Sequence, residues 1–305
     1  MAELGEVILN EDDTPMSAQA LMAAIQDADI VCPTVTDKLS ADLFNMGDVR
    51  TKLLANFGAG FNHIDLDAVR AAGIAVTNTP DVLTDATAEI AMTLMLMSAR
   101  RAGAGERHVR NGSWAGWRPT HMLSTQVTGK TLGVVGMGRI GAAFARKAHH
   151  GLGMRIVYCN RSAVTESLAF ELSAQRANLD ELLATSDFVS LHCPSTPQTR
   201  HLMDAEKFAL MQSHAHLINT ARGDVVDETA LVQALTTGQI AGAGLDVYEL
   251  EPQLAPGLVD LEQAVLLPHM GSGTVETREA MGMRALANVE AFLSGQTLPD
   301  LVTAG

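Results

Sequence analysis

Positive charge is scarce in this sequence: 21 Lys and Arg stand against 35 Asp and Glu, a formal net charge of −14. Such a surface repels phosphate backbones, which excludes nucleic-acid binding through bulk electrostatics. Any anionic ligand must instead be caught by a few local cations. Cysteine is scarce too. Cys32, Cys159 and Cys193 match neither a zinc-ligand spacing nor a disulfide framework, so no metal is expected and a reducing cytoplasm is the economical setting. There is no long hydrophobic run: the longest apolar stretch, residues 90–97, falls far short of the ~20 residues that span a bilayer. The first six residues, Met-Ala-Glu-Leu-Gly-Glu, are acidic where a secretory signal begins basic. A soluble cytoplasmic protein with no membrane partner is expected. Charged residues are only 18% against 47% apolar, which excludes long disorder and supports a sizeable core. No internal repeat is present.

A length of 305 residues suggests about two domains at ~150 residues each. Short apolar runs alternate with helical patterns, as in parallel sheets with crossover helices. Val7-Ile8-Leu9 and Ile30-Val31-Cys32 read as buried strands flanking a helix over residues 17–27. Leu53-Leu54-Ala55 leads into Gly58-Ala59-Gly60, and Ile74-Ala75-Val76 into Thr77-Asn78-Thr79-Pro80. A long helix is expected over residues 84–110, with Ile90, Leu94 and Met97 on one stripe and Asp85 and Glu89 at its positive end. Its methionines read as core. Both tryptophans follow, Trp114 and Trp117; they are read either as an anchor at a subunit contact or as a loop anchored in its own domain. Six further strand candidates begin at Thr131, Ile156, Phe188, His216, Ile240 and Ala264. The expected class is α/β with two doubly wound parallel-sheet domains. Residues 1–98 with 273–305 form one discontinuous domain, a helix over 274–293 packing back on it, and residues 99–272 form the other.

Gly136-Met137-Gly138-Arg139-Ile140-Gly141 follows a strand candidate and opens a helix. In that context the first glycine makes a tight turn, the second admits a pyrophosphate, and the third lets helix pack on strand. The helix N-terminus offers amides to the phosphates. The next strand ends at Asn160, nineteen residues past the last glycine, where an NAD site carries Asp or Glu for the ribose hydroxyl. Here the sequence reads Asn160-Arg161-Ser162. The repelling carboxylate is absent, and a guanidinium and a hydroxyl stand where a 2′-phosphate would sit. One charge-assisted hydrogen bond contributes about 1.5–3 kcal/mol, so NADP(H) is the expected cofactor, with NAD possible; the alternative is that Arg161 points to solvent.

Three segments lie at the carboxyl ends of later strands, where open α/β sheets bind ligands. They carry Arg222, Glu251 and His269. Reduction of a 2-oxo acid needs a cation for the carboxylate and carbonyl, a proton donor, and a carboxylate that fixes the imidazole tautomer. Each residue alone is unconvincing; their common placement carries the inference.

Together these segments resemble the D-isomer-specific 2-hydroxyacid dehydrogenase family, and most its glyoxylate/hydroxypyruvate reductase branch. The matching motifs are Ala55 to Asp65, Thr77-Asn78-Thr79-Pro80, Gly136 to Gly141, His192-Cys193-Pro194, Thr220-Ala221-Arg222-Gly223 and the Glu251 and His269 segments, spread over residues 29–298. The resemblance implies a Rossmann nucleotide-binding domain inserted in a flavodoxin-like substrate domain. It implies that Arg222 binds the carboxylate and keto oxygen, that His269 is the acid/base with Glu251 as partner, and that the amides of Ala59 and Gly60 grip the carboxylate. Gly136, Gly138, Arg139, Ile140 and Gly141 would meet the pyrophosphate; Asn160, Arg161 and Ser162 the adenosine ribose; His192, Cys193 and Pro194 its flank; Thr220 and Asp246 the nicotinamide side, with Ala221 and Gly271 also touching the cofactor. Substrate would sit between two domains that close over it, and the family's usual state is a homodimer joined through the nucleotide domains. The family pattern places a strand and a helix ahead of the segment matching Val7-Ile8-Leu9, so the first sheet is expected to lack its first strand.

The function expected is NADPH-dependent reduction of glyoxylate or hydroxypyruvate to the 2-hydroxy acid. A dehydrogenase for another D-2-hydroxy acid, of phosphoglycerate or lactate type, keeps the same fold. A formate dehydrogenase fits the proton-donating pair less well, and a dinucleotide-sensing corepressor is the reading from another class.

Overall fold

A computed structural model describes residues 3–12, 14–45 and 48–303. The chain divides into two compact units, Met1–Leu83 with Gly273–Gly305, and Thr84–Ser272.

In the first unit, Ser17 caps helix α1 (Ala18–Asp27), its hydroxyl accepting from the Ala20 amide at 3.2 Å. Strand β1 (Ile30–Val31), helix α2 (Ala41–Asn45), strand β2 (Leu53–Ala55), helix α3 (Leu66–Ala71) and strand β3 (Ala75–Thr77) follow. The strands pair in parallel in the order β1-β2-β3. All three residues of β2 are buried, because both faces are covered: Leu54 packs with Leu21, Ile25 and Leu43, while Leu53 and Ala55 pack with Val289. The expected strand at Val7-Ile8-Leu9 does not form. That segment has no regular structure and joins no ladder, and Ile8 and Leu9 are 86% and 70% exposed. Without a hydrogen-bonded neighbour or an opposing apolar face, three apolar residues gain nothing from strand geometry.

The second unit opens with α4 (Thr84–Arg100) and α5 (Ala102–Arg110). The long helix expected over 84–110 breaks at Arg101, which adopts a left-handed conformation with φ 52°. Asp85 and Glu89 in the first two turns of α4 reach Lys147 at 3.0 and 3.7 Å. Strand β4 (Thr131–Val135), α6 (Arg139–Leu152), β5 (Arg155–Cys159), α7 (Glu166–Glu171), β6 (Gln175–Arg176), α8 (Leu179–Thr185), β7 (Phe188–Leu191), α9 (Ala205–Leu210), β8 (His216–Asn219), α10 (Glu228–Thr236), β9 (Gly242–Leu245) and β10 (Ala264–Leu266) complete it. The seven strands are all parallel, in the order β10-β9-β8-β7-β4-β5-β6. Strand order therefore reverses direction between β4 and β7, the place where a doubly wound sheet opens a ligand crevice at its carboxyl ends. Helix α4, set across a boundary at 98/99 in the sequence reading, lies wholly in this unit, because Leu94, Met95 and Ala99 join Leu132, Phe144 and Ile218 in one core. Trp114 and Trp117 are 55% and 82% exposed, so neither is anchored in its own unit.

Helix α11 (Val275–Leu293), capped by Thr274, returns the chain to the first unit. Behind it Asp300 accepts from Arg284 Nε and Nη2 at 2.7 and 2.6 Å and from Asn288 Nδ2 at 2.8 Å. This buried carboxylate ties the C-terminal segment to α11, and the Val302 amide then donates to the Val76 carbonyl of β3.

Candidate active site

The glycine-rich turn between β4 and α6 is shaped by three different constraints. Gly136 has φ 92°, and a Cβ there would lie 2.5 Å from the Cys193 amide nitrogen. A Cβ at Gly141 would lie 2.5 Å from the Gly136 carbonyl oxygen. At Gly138 a Cβ would meet nothing within 4 Å, so the chain's own packing does not require glycine there. Gly138 caps α6 without a side-chain acceptor, and the Ile140 and Gly141 amides donate to no backbone carbonyl among the described residues. An uncapped helix start beside an open glycine is a cradle for phosphate oxygens. Asn160, at the end of β5, braces this turn: its Oδ1 accepts from the Met137 amide at 2.6 Å. Its carboxamide is thus committed to the loop, while the Arg161 and Ser162 side chains are exposed. His192 donates its amide to Val135, and its Nε2 lies 2.9 Å from Ser190 Oγ. Burial pushes the His192 imidazole down to about 4 and the Cys193 thiol up to about 11, so both are neutral groups at neutral pH. Pro194 follows them into an exposed turn.

The carboxyl ends of β8, β9 and β10 bring three further segments together. Asn219 shapes the first, its Nδ2 donating to the Arg222 carbonyl and its Oδ1 accepting from the Ala221 amide. Arg222 Nη1 donates to the Ala221 carbonyl at 2.7 Å. Burial lowers the Arg222 pKa, offset in part by the charges of Glu251 and Asp224. Glu251 Oε2 and His269 Nδ1 are 2.7 Å apart; a carboxylate accepts, so Nδ1 is the donor and Nε2 takes no part in that contact. Burial pushes the Glu251 carboxyl up. The hydrogen bond and charge of His269, the Tyr248 amide and the Arg222 guanidinium outweigh it and hold the group below the usual carboxylate range. His269 itself has φ 52°, a conformation that costs a non-glycine residue about 1–3 kcal/mol and collects at functional sites. Asp246 lies beneath it, accepting from the Met270 amide at 2.8 Å. Burial raises the Asp246 pKa, opposed by the Met270 and Gly271 amides and the His269 charge. Gly271 leaves room for that carboxylate, since a Cβ there would come within 3.2 Å of Asp246 Oδ2. Thr220 Oγ1 is buried with no hydrogen-bond partner among the described residues, a polar atom suited to a bound group.

Comparison with known proteins settles the lineage. The profile described as "D-isomer specific 2-hydroxyacid dehydrogenase, NAD binding domain" matches residues 92–271. A glyoxylate reductase of Thermococcus onnurineus is 43% identical over 301 residues, covering 97% of this chain and 89% of that protein. The chain belongs to the D-isomer-specific 2-hydroxyacid dehydrogenase family. Among solved structures, a putative D-isomer-specific 2-hydroxyacid dehydrogenase from Polaromonas superposes with a TM-score of 0.91 at 37% identity, covering 99% of this chain and 95% of that one. A glyoxylate reductase from Paecilomyes thermophila gives 0.86 at 35% identity, covering 94% and 89%. The resemblance therefore places the chain on the glyoxylate reductase branch, and the protein is an NAD(P)-dependent D-2-hydroxyacid dehydrogenase with a Rossmann-like nucleotide domain. No helix among the described residues is long and apolar enough to cross a membrane.

In this dehydrogenase, residues that carry no motif also shape the site. A Cβ on Gly223 would fall 1.8 Å from the Tyr248 carbonyl carbon, so the Arg222 turn lies directly on the backbone that leads to Glu251. Buried Glu228 accepts from the Glu249 amide at 2.8 Å, and the Tyr248 hydroxyl donates to the Leu267 carbonyl at 2.8 Å, joining the Glu251 turn to the strand before His269. Burial raises the pKa of the Glu228 carboxyl, with its amide contacts opposing. The first unit holds a separate feature. Asn56 Nδ2 donates to the Gly58 and Gly60 carbonyls at 3.0 Å each, and Asn78 Nδ2 to the Ala59 carbonyl at 2.8 Å. With three carbonyls tied back, the Ala59 and Gly60 amides donate to no backbone carbonyl among the described residues.

Proposed function

We propose that the protein reduces a small 2-oxo acid, glyoxylate or hydroxypyruvate, to the corresponding D-2-hydroxy acid with NADPH as reductant. The observation that carries this reading is the 2.7 Å contact of Glu251 with His269 Nδ1, set at the strand ends beside Arg222. The glyoxylate reductases among its relatives support the substrate class, and the carboxylate-free Asn160-Arg161-Ser162 segment supports NADPH over NADH.

The dinucleotide would be held by Gly138, Arg139, Ile140 and Gly141 at the start of α6, by Arg161 and Ser162 beyond β5, and by Thr220 and Asp246, and it supplies the hydride. Arg222 holds the substrate carboxylate and polarises the carbonyl. In the first unit, the Ala59 and Gly60 amides are themselves suited to a carboxylate. His269 delivers its Nε2 proton to the keto oxygen as that oxygen becomes an alkoxide, while Glu251 keeps Nδ1 protonated and the ring oriented. Only interactions that strengthen as the alkoxide forms accelerate the step, and the Arg222 guanidinium and His269 imidazolium are of that kind. We further propose a homodimer joined through the nucleotide-binding units, for which the exposed Trp114 and Trp117 are the candidate contacts.

Initial rates with glyoxylate, hydroxypyruvate, pyruvate and 3-phosphohydroxypyruvate, each against NADPH and NADH, test the reading. It expects the two smallest 2-oxo acids with a polar or absent side chain to give the highest kcat/KM, with NADPH preferred. A higher kcat/KM for the phosphorylated acid or for pyruvate replaces the substrate assignment, and preference for NADH overturns the cofactor assignment.

A further inference from the structure

Strand β6 is only two residues long and lies at the outer edge of the sheet, with Arg176 paired in register to Tyr158 of β5. From there the Arg176 side chain reaches past the end of β5. Its Nη2 donates to the Asn160 carbonyl at 3.1 Å and to the Arg161 carbonyl at 2.9 Å. The guanidinium therefore lies against the backbone of the loop that carries Arg161 and Ser162. Its remaining N–H groups donate to nothing among the described residues, and no carboxylate there pairs with it. Among the acidic side chains of the neighbouring segments, Glu171 is committed to Arg146, Glu181 to the Asn178 amide and Asp180 to Lys207, while Glu166 opens α7 just beyond the loop without an ion-pair partner among the described residues. In a protein of net charge −14, two guanidinium groups at one carboxylate-free loop form a local positive site.

We propose that Arg176 is the second cation of the adenosine 2′-phosphate subsite, acting with Arg161 to select NADP(H). The inference rests on the NADPH reading above and adds to it a residue from a different strand. A phosphate monoester near its second pKa carries between one and two negative charges and three acceptor oxygens. A single Arg can engage it, but two cations meeting it from adjacent strands neutralise it and fix its position. The two carbonyls that Arg176 already holds keep its side chain in place before the ligand arrives, so less rotamer entropy is lost on binding. The competing role is mechanical, with Arg176 serving only to brace the loop, and the two roles predict different ligand dependence.

Calorimetric titration of the free protein with 2′,5′-ADP and with 5′-AMP separates them, using the wild-type chain and the variants Arg176→Ala, Arg176→Lys and Arg161→Ala. The proposal expects wild type to bind 2′,5′-ADP at least tenfold more tightly than 5′-AMP, with a preference that weakens as salt rises. Arg176→Ala should remove roughly tenfold of that preference while affinity for 5′-AMP holds, and Arg176→Lys should restore most of it. Equal binding of the two nucleotides by wild type would overturn the NADPH reading and this proposal together. A wild-type preference left intact in Arg176→Ala would overturn the proposal alone. Equal weakening of both ligands in Arg176→Ala, with Arg176→Lys no better, would make Arg176 a loop brace and likewise overturn it.

Discussion

Replacing Gly138 with alanine separates packing from ligand approach. Neither space nor backbone forbids the substitution: the new Cβ meets nothing within 4 Å, and φ is −84°. A Gly→Ala change at a compatible conformation stabilises by about 0.4–1 kcal/mol through the unfolded chain, and alanine is poorer than glycine as an N-cap by a similar amount. The two effects oppose each other, so the free protein's stability should stay within about 1 kcal/mol of wild type. The methyl group would nevertheless stand in the cradle at the start of α6, where a pyrophosphate oxygen must approach the amides. Losing one charge-assisted hydrogen bond there costs about 1.5–3 kcal/mol, or roughly ten- to a hundredfold in dinucleotide affinity. Gly136→Ala and Gly141→Ala provide the contrast. Each would drive a Cβ to 2.5 Å from a backbone atom, so both should lower the melting temperature before any ligand is added. The assay is calorimetric titration with NADPH beside a thermal melt of each free variant. Wild-type NADPH affinity in Gly138→Ala would refute the placement of the pyrophosphate at this helix start.

Three further outcomes follow from the contacts described. Glu251→Gln removes the charge from the 2.7 Å bond to His269 and should lower kcat about ten- to a hundredfold with little change in KM; because the Glu251 carboxyl is held below its usual range, wild type should keep this pair as pH falls until below the ordinary carboxylate pKa. Gly223→Ala would press a Cβ into the Tyr248 carbonyl, 1.8 Å away, and relief demands about 1.5 Å of movement between the Arg222 and Glu251 turns, enough to lower kcat/KM on the order of a hundredfold. Asp300→Ala breaks the pair with Arg284, whose guanidinium is partly exposed, and should cost toward the lower end of about 3–5 kcal/mol by denaturant titration. Burial pushes the Asp300 carboxyl up, but Arg284 and Asn288 outweigh it and leave its pKa lowered. Its stabilising contribution is therefore complete above the unfolded pKa of about 3.9 and lost as pH falls through the folded value.

The strands of the second unit are legible because parallel strands covered on both faces read as near-continuous apolar runs: Thr131–Val135, Phe188–Leu191 and His216–Asn219 are each buried throughout, with few polar positions. The glycine turn and the Arg222 and Glu251 segments are legible because each follows such a strand, and the His269 segment because it follows the short apolar run Ala264–Leu266, which is only half-buried. Strand β6 escapes the sequence because Gln175 and Arg176 are both exposed and carry no apolar signal. The break at Arg101 escapes because a left-handed arginine has no sequence mark comparable to glycine. Val7-Ile8-Leu9 misleads in the opposite way: its composition is that of a strand, but strand formation depends on a partner, which composition does not encode. Glu228, Tyr248 and Arg176 act on the site through contacts spanning 15 to 21 residues. Spacing within a motif says nothing about such contacts; the polar type and burial of Glu228 are the only hints, and burial is visible only in the fold.

Single-turnover hydride transfer from NADPH to glyoxylate, compared between wild type and His269→Ala at saturating cofactor and substrate, tests the assignment of His269 as proton donor. The variant should bind NADPH as wild type does but transfer hydride at least a hundredfold more slowly, because no group remains to protonate the forming alkoxide. Transfer at the wild-type rate in His269→Ala would contradict that assignment and require the proton to come from elsewhere.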